Sequence, residues 1–119
     1  MCPVPEKLDL ALVTRLREVV AGRAATEAEL RALDEEAGGW LRATEAQLRS
    51  SEQRLTELNS DPAGPLAEIA EEVRRAEALS RELQEARRLI EGLDRRTREL
   101  RTAWLKHQAD AGSPFDTKP

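Results

Sequence analysis

The amino-acid sequence predicts an all-α protein, an antiparallel coiled-coil hairpin of two long helices. Three observations carry this prediction: the composition, a heptad stripe of apolar residues, and one strong helix breaker near the middle. Of 119 residues, 35% are charged and only 3% are aromatic. The abundant residues are Ala, Leu, Glu and Arg, which are strong helix formers, and this mixture is typical of a coiled coil or a long helix.

The second helix, predicted over 65–109, has the clearest pattern. Its apolar positions are spaced almost entirely by alternating threes and fours, which defines a seam one helix wide over about five heptads. At 1.5 Å per residue this helix is about 65 Å long and needs another helix to cover its stripe. The stripe comprises Leu66, Ile69, Val73, Ala76, Leu79, Leu83, Ala86, Ile90, Leu93, Thr97, Leu100 and Trp104.

A matching stripe predicts one long, bent first helix over 6–58. Two places could break it. Gly22 is followed by Thr26 and Glu29, a capping-box pattern that starts helices, and Gly38-Gly39 costs about 1 kcal/mol per glycine relative to alanine. We favour an unbroken helix because the apolar stripe runs through both places. Residues 1–5, with two prolines, are expected to be irregular, and 110–119 to be a disordered tail.

The turn is predicted at 59–64, where Asn, Asp, Pro and Gly follow one another. A connection this short makes the two helices antiparallel neighbours, and partners then have numbers that add to about 124. This register places Trp40 beside Leu83 and Trp104 beside Val19 and Val20. It also sets acidic residues around 27–36 opposite basic residues around 87–96.

A two-helix hairpin buries one stripe per helix, so we expect oligomerisation or partner helices to complete a bundle. Extra apolar residues beside the seam are the candidates for that contact. The predicted partner-interface residues are Leu16, Val20, Leu41, Leu89, Trp104 and Leu105.

No catalytic, cofactor-binding or metal site is predicted. The sequence has no glycine-rich phosphate loop and no nucleophile motif, and His107 has no companion at ligand spacing. Cys2 is the only cysteine and is interpreted as a free thiol, which together with the lack of a signal sequence favours an intracellular, cytoplasmic location. No small-molecule substrate is expected.

These observations favour a non-catalytic scaffold or adaptor subunit of an intracellular complex, which binds protein helices as a homo-oligomer or hetero-complex. One alternative is a cytoskeletal spacer: Trp40-Leu41, Leu48, Leu100 and Trp104 resemble a spectrin-type repeat, although such a repeat needs a third helix, from a break at Gly22 or Gly38. Another is membrane or nucleic-acid contact through the basic stretch 95–101. A net charge of −4 and interspersed acids argue against it.

Overall fold

A computed structural model describes residues 4–111, with side chains from 10 to 110. Over this range the chain is all-α, as predicted, and forms three helices rather than two. These are α1 (Val4–Val20), α2 (Glu27–Asn59) and α3 (Leu66–Ala111). The molecule is elongated, with principal extents of 86 × 25 × 18 Å. The long α2–α3 hairpin is present, and α1 folds back against one half of it.

The prediction of one continuous helix over 6–58 is wrong because the chain reverses at Gly22. This glycine has a φ of +119°, a left-handed conformation that L side chains rarely adopt. Its N–H donates to the carbonyl of Val19 at 3.1 Å, and the N–H of Arg23 donates to that of Glu18 at 3.0 Å. This pair of bonds is the Schellman motif, which satisfies the last carbonyls of a helix and ends it.

A capping box begins α2 four residues later. The Glu29 N–H donates to Thr26 Oγ1 at 3.1 Å, and the Thr26 N–H donates to Glu29 Oε1 at 2.8 Å. The hydrogen bond from the Thr26 backbone holds the pKa of Glu29 below its ordinary value of 4.5. The apolar stripe could not reveal this reversal, since both helices use it. Gly38 and Gly39 lie inside α2 and do not break it.

The connection between α2 and α3 spans residues 60–65, one residue further along the chain than the predicted turn at 59–64. Asp61 Oδ1 accepts a hydrogen bond from the Ala63 N–H at 3.0 Å, and the Asp61 carbonyl accepts one from Gly64 at 2.9 Å. The carbonyl of Pro65 accepts the first bonds of α3, which begins at Leu66, one residue later than predicted.

The two ends of the chain differ from the prediction where they are described. Residues 4 and 5, expected to be irregular, belong to α1, and 110 and 111, assigned to the tail, belong to α3. Residues 1–3 and 112–119, the rest of both segments, lie outside the described residues.

Polar contacts between α2 and α3 agree with the predicted register. The Trp40 indole N–H donates to Glu82 Oε2 at 2.7 Å, one residue from the expected neighbour Leu83. Further down the hairpin, the Ser51 hydroxyl donates to Glu72 Oε2 at 2.5 Å. Cross-helix ion pairs do not follow the predicted acidic and basic blocks, since Arg87 pairs with Glu45.

The first helix lies parallel to α3 and antiparallel to α2. Arg17 forms an ion pair with Glu85, and the methyl groups of Val20 lie against Gly92, where an added Cβ would meet Val20 Cγ1 at 3.0 Å. Thus this half of the molecule is a three-helix bundle, with Leu16, Leu33 and Leu93 fully buried. The core cluster comprises Leu12, Leu16, Val19, Leu30, Leu33, Ala37, Trp40, Ala86 and Leu93.

Candidate functional site: an apolar groove beside the end of α3

The C-terminal end of α3 projects beyond the rest of the bundle. Arg101 marks the level at which α2 begins, because its Nη2 and Nε contact Glu27 Oε2 at 2.8 and 3.2 Å. From Thr102 the helix continues to Ala111, a further length of about 15 Å at the α-helical rise. All side chains from 101 to 110 are exposed.

An open groove of about 950 Å³ lies between this projecting end and the start of α2. It is predominantly apolar. Leu30 is buried at its base, Leu100 is half-buried, and Trp104 leaves 59% of its surface exposed. We call it the α2–α3 groove. Its lining comprises Ala25, Thr26, Glu27, Leu30, Leu100, Arg101, Ala103, Trp104, Leu105 and His107.

The groove exists because the heptad stripe of α3 extends past the start of α2, the helix that covers the stripe lower down. Leu93 is 1% exposed, where both α1 and α2 are present. Thr97 and Leu100, farther along the same stripe, are half-buried, and Trp104 is largely exposed. The spacing of threes and fours is unchanged from Leu93 to Trp104. The increasing exposure of these side chains therefore reflects the point at which α2 begins, and not a change in the pattern of α3.

Arg96 holds the α1–α2 connection against α3 below the groove. Its Nη2 donates to the carbonyl of Gly22 at 3.1 Å, and its Nη1 lies 3.5 Å from Glu99 Oε1. Within the described residues, Arg96 Nε is buried and has no hydrogen-bond partner. The positive charge of the Arg96 guanidinium also interacts favourably with the negative, C-terminal end of the α1 helix dipole. The wall of the groove formed by the connection is therefore fixed to α3.

The six predicted partner-interface residues fall into three groups by burial. Leu16 is fully buried inside the chain, so it cannot face a partner as predicted, whereas Val20 is half-buried with its methyl groups against Gly92. Leu41 and Leu89 are half-buried against the same core. Trp104 and Leu105 are 59% and 60% exposed and both line the groove, where their role as interface residues stays a prediction.

The predicted pairing of Trp104 with Val19 and Val20 is wrong. That pairing required α1 and α2 to be one helix, in which Val20 would reach the far end of α3. Because the chain reverses at Gly22, Val20 lies beside Gly92 instead, three helical turns below Trp104.

Sequence reasoning missed the α2 wall of the groove, formed by Thr26 and Leu30, and the close approach at Gly92. The capping box identifies Thr26 as a helix start, and a glycine inside a heptad pattern signals close packing. Two residues of the basic stretch have partners within the chain, Arg96 on Gly22 and Arg101 on Glu27.

The other surfaces of the described residues are weaker candidates for a binding site than the α2–α3 groove. The grooves along the hairpin half are lined mainly by charged side chains such as Arg54, Glu72 and Arg75. In the part of the chain that the structure describes, no three His, Cys, Asp or Glu residues cluster in a way that could hold a metal ion. None of the described helices has an apolar stretch long enough to cross a bilayer.

Comparison of the chain with known protein families, curated proteins and solved structures gave no match.

Proposed function

We propose that the protein is a non-catalytic helical adaptor or scaffold subunit that binds helices of other proteins. The observation that carries this proposal is the α2–α3 groove, an apolar surface on a helix end that projects from its own bundle. Isolated exposed leucines are common on protein surfaces, whereas a contiguous apolar groove marks an interaction site.

The residue types of the groove support a protein partner. Tryptophan is enriched among the residues that dominate binding energies at protein interfaces, and Trp104 lines this surface with 59% of its own surface exposed. The α3 stripe that runs into the groove already packs against a helix lower down, at Leu93. A second helix lying on the upper part of the stripe would bury it with the same side-chain spacing.

The test is affinity purification of the tagged full chain from its native cells, with mass spectrometry of chemically crosslinked complexes. We expect crosslinks from Lys106 to partner helices. Trp104→Ala should remove those partners, while Leu66→Ala, a change at an 80% exposed leucine at the opposite end, should retain them. A chain that remains a monomer without crosslinked partners in cells contradicts the proposal.

A second candidate is the spectrin-like spacer, and the break at Gly22 is the observation that favours it. A broken first helix supplies the third helix that a complete repeat needs. Trp104 does not lie in a bundle core, however, and α1 is about half the length of α2. Tension applied to tandem copies should show stepwise unfolding of one unit per copy if the chain is a spacer.

The third candidate, contact with nucleic acid or an anionic membrane through 95–101, has less support. Arg96 and Arg101 already have partners within the chain, which leaves Arg95 and Arg98 exposed. Reversing both to glutamate should abolish binding to duplex DNA or to phosphatidylserine vesicles at low salt if this candidate is correct.

A further inference from the structure

We propose that the α2–α3 groove binds an amphipathic helix of another protein that carries an apolar stripe flanked by acidic residues. This inference rests on the proposed function and specifies its partner. Two observations determine the occupant: the groove continues the surface on which α1 lies, and the part of α3 that borders it, from Leu100 to His107, contains basic residues and no acidic one.

The first observation is the continuity of the α1–α3 interface. Along α3, α1 contacts Glu85 through Arg17, Gly92 through Val20 and Arg96 through the Gly22 carbonyl. Positions 85, 89, 92 and 96 follow the spacing of fours and threes that keeps residues on one helix face.

The same face continues beyond the end of α1. Leu100, Ala103 and His107 follow Arg96 with the same spacing and line the groove, with Trp104 beside them. Above the α1–α2 connection, no described residue occupies the position that α1 takes lower on α3, and the lining residues on α3 have the spacing that packs against a helix. A helix of about three turns would lie along the projecting end of α3, given its length of about 15 Å.

The second observation is charge. Between Arg101 and Ala109 the sequence contains Arg101, Lys106 and His107 and no acidic residue. Arg101 is paired with Glu27, and Lys106 and His107 are exposed. Acidic residues that flank the apolar stripe of a partner would meet the ammonium of Lys106 and the guanidinium of Arg101, and such flanking charges select partner and orientation in helix pairs.

A second copy of this chain fits less well. Symmetric pairing of two projecting ends would bring Lys106 of each copy near the basic residues of the other. A partner helix that also contacts the α2 wall at Thr26 and Leu30 covers more of the groove.

The experiment uses the full chain and two fluorescein-labelled designed peptides of equal length. Both carry the same heptad leucine stripe; one has glutamate at the flanking positions and the other lysine. Fluorescence anisotropy should show binding of the glutamate peptide that weakens with salt, with the lysine peptide at least about tenfold weaker.

Variants locate the site. Trp104→Ala should weaken binding of the glutamate peptide by about tenfold or more, as expected for the loss of a large aromatic contact. Leu66→Ala, the matched exposed apolar control, should leave it unchanged. Helical circular dichroism of Trp104→Ala should match that of the parent chain, which separates loss of binding from loss of fold.

Four results would overturn the inference. The first is no binding of the glutamate peptide, and the second is equal binding of both peptides or binding that Trp104→Ala does not change. The third is a stable dimer in sedimentation that Trp104→Ala dissociates, which assigns the groove to a second copy. The fourth is Trp104-dependent binding to phosphatidylserine vesicles by a chain that ignores the peptides, which assigns it to a membrane surface.

The inference and the proposed function fail in different ways. If Trp104→Ala retains every partner that the parent chain captures in cells, the groove is not the binding site and the adaptor function stands. If the parent chain captures no partner in cells yet binds the glutamate peptide, the groove binds acidic helices and the adaptor function fails.

Discussion

Replacement of Gly92 by alanine tests the docking of α1 against α3. In the interior of a helix, glycine is less favourable than alanine by about 1 kcal/mol, so Gly92→Ala should by itself stabilise α3. The new Cβ, however, would lie 3.0 Å from Val20 Cγ1 and 3.2 Å from Val20 Cγ2. Both distances are shorter than an ordinary carbon–carbon contact, which has its optimum at about 3.5–4.0 Å.

Val20 cannot relieve this contact easily, because β-branched side chains in helices have one strongly preferred rotamer. Helix α1 must therefore shift, and overpacking of this kind costs about 1–3 kcal/mol. We expect Gly92→Ala to lower the free energy of unfolding by up to about 2 kcal/mol once the helix-propensity gain is included.

Gly39→Ala is the matched control. Gly39 lies inside α2, and a Cβ there would meet nothing within 4 Å, so alanine should stabilise the protein by about 1 kcal/mol. Urea unfolding followed by helical circular dichroism measures both variants. Adding Val20→Ala should recover part of the Gly92→Ala loss, since it removes the methyl groups in contact. Equal stabilisation by the two glycine replacements would refute the parallel docking of α1 on α3.

Three further predictions follow from named contacts. Trp40→Phe removes the indole N–H that binds Glu82, and urea unfolding should show a loss of about 1–2 kcal/mol, while unchanged stability would mean that this bond does not contribute. Because the pKa of Glu29 is lowered in the folded state, the ionised carboxylate contributes its full stabilisation above the ordinary pKa of 4.5, and this contribution is lost as the pH falls below that value. The free energy of unfolding of Glu29→Gln should therefore depend less on pH in that range. Parallel pH profiles of the variant and the parent chain would contradict this prediction. Trp104→Ala should change the free energy of unfolding by less than about 1 kcal/mol, far below the 3–5 kcal/mol of a buried tryptophan, and a larger loss would show that Trp104 is buried.

The sequence by itself determined the helical class, the position of the hairpin turn and the register of α2 against α3. These features depend on local chemistry and on periodicity. The turn is predictable because the Asp61 side chain can accept a backbone hydrogen bond within it and Gly64 has a flexible backbone. The register is predictable because two antiparallel helices must match their apolar stripes. Thr26 and Glu29 are also recognisable as a capping box from the sequence.

The sequence offered Gly22 as one of two places to break the first helix, and only the tertiary structure decided that the chain reverses there. An apolar stripe indicates that its residues pack against other helices, but it does not identify which helix each residue contacts. The stripes of α1 and α2 are therefore equally consistent with one helix or with two. In the structure, the left-handed φ of Gly22 and the hydrogen bond from Arg96 to its carbonyl accompany the division into two helices. This reversal places Val20 beside Gly92 and leaves Trp104 uncovered, so the candidate site depends on a long-range contact that no local pattern contains.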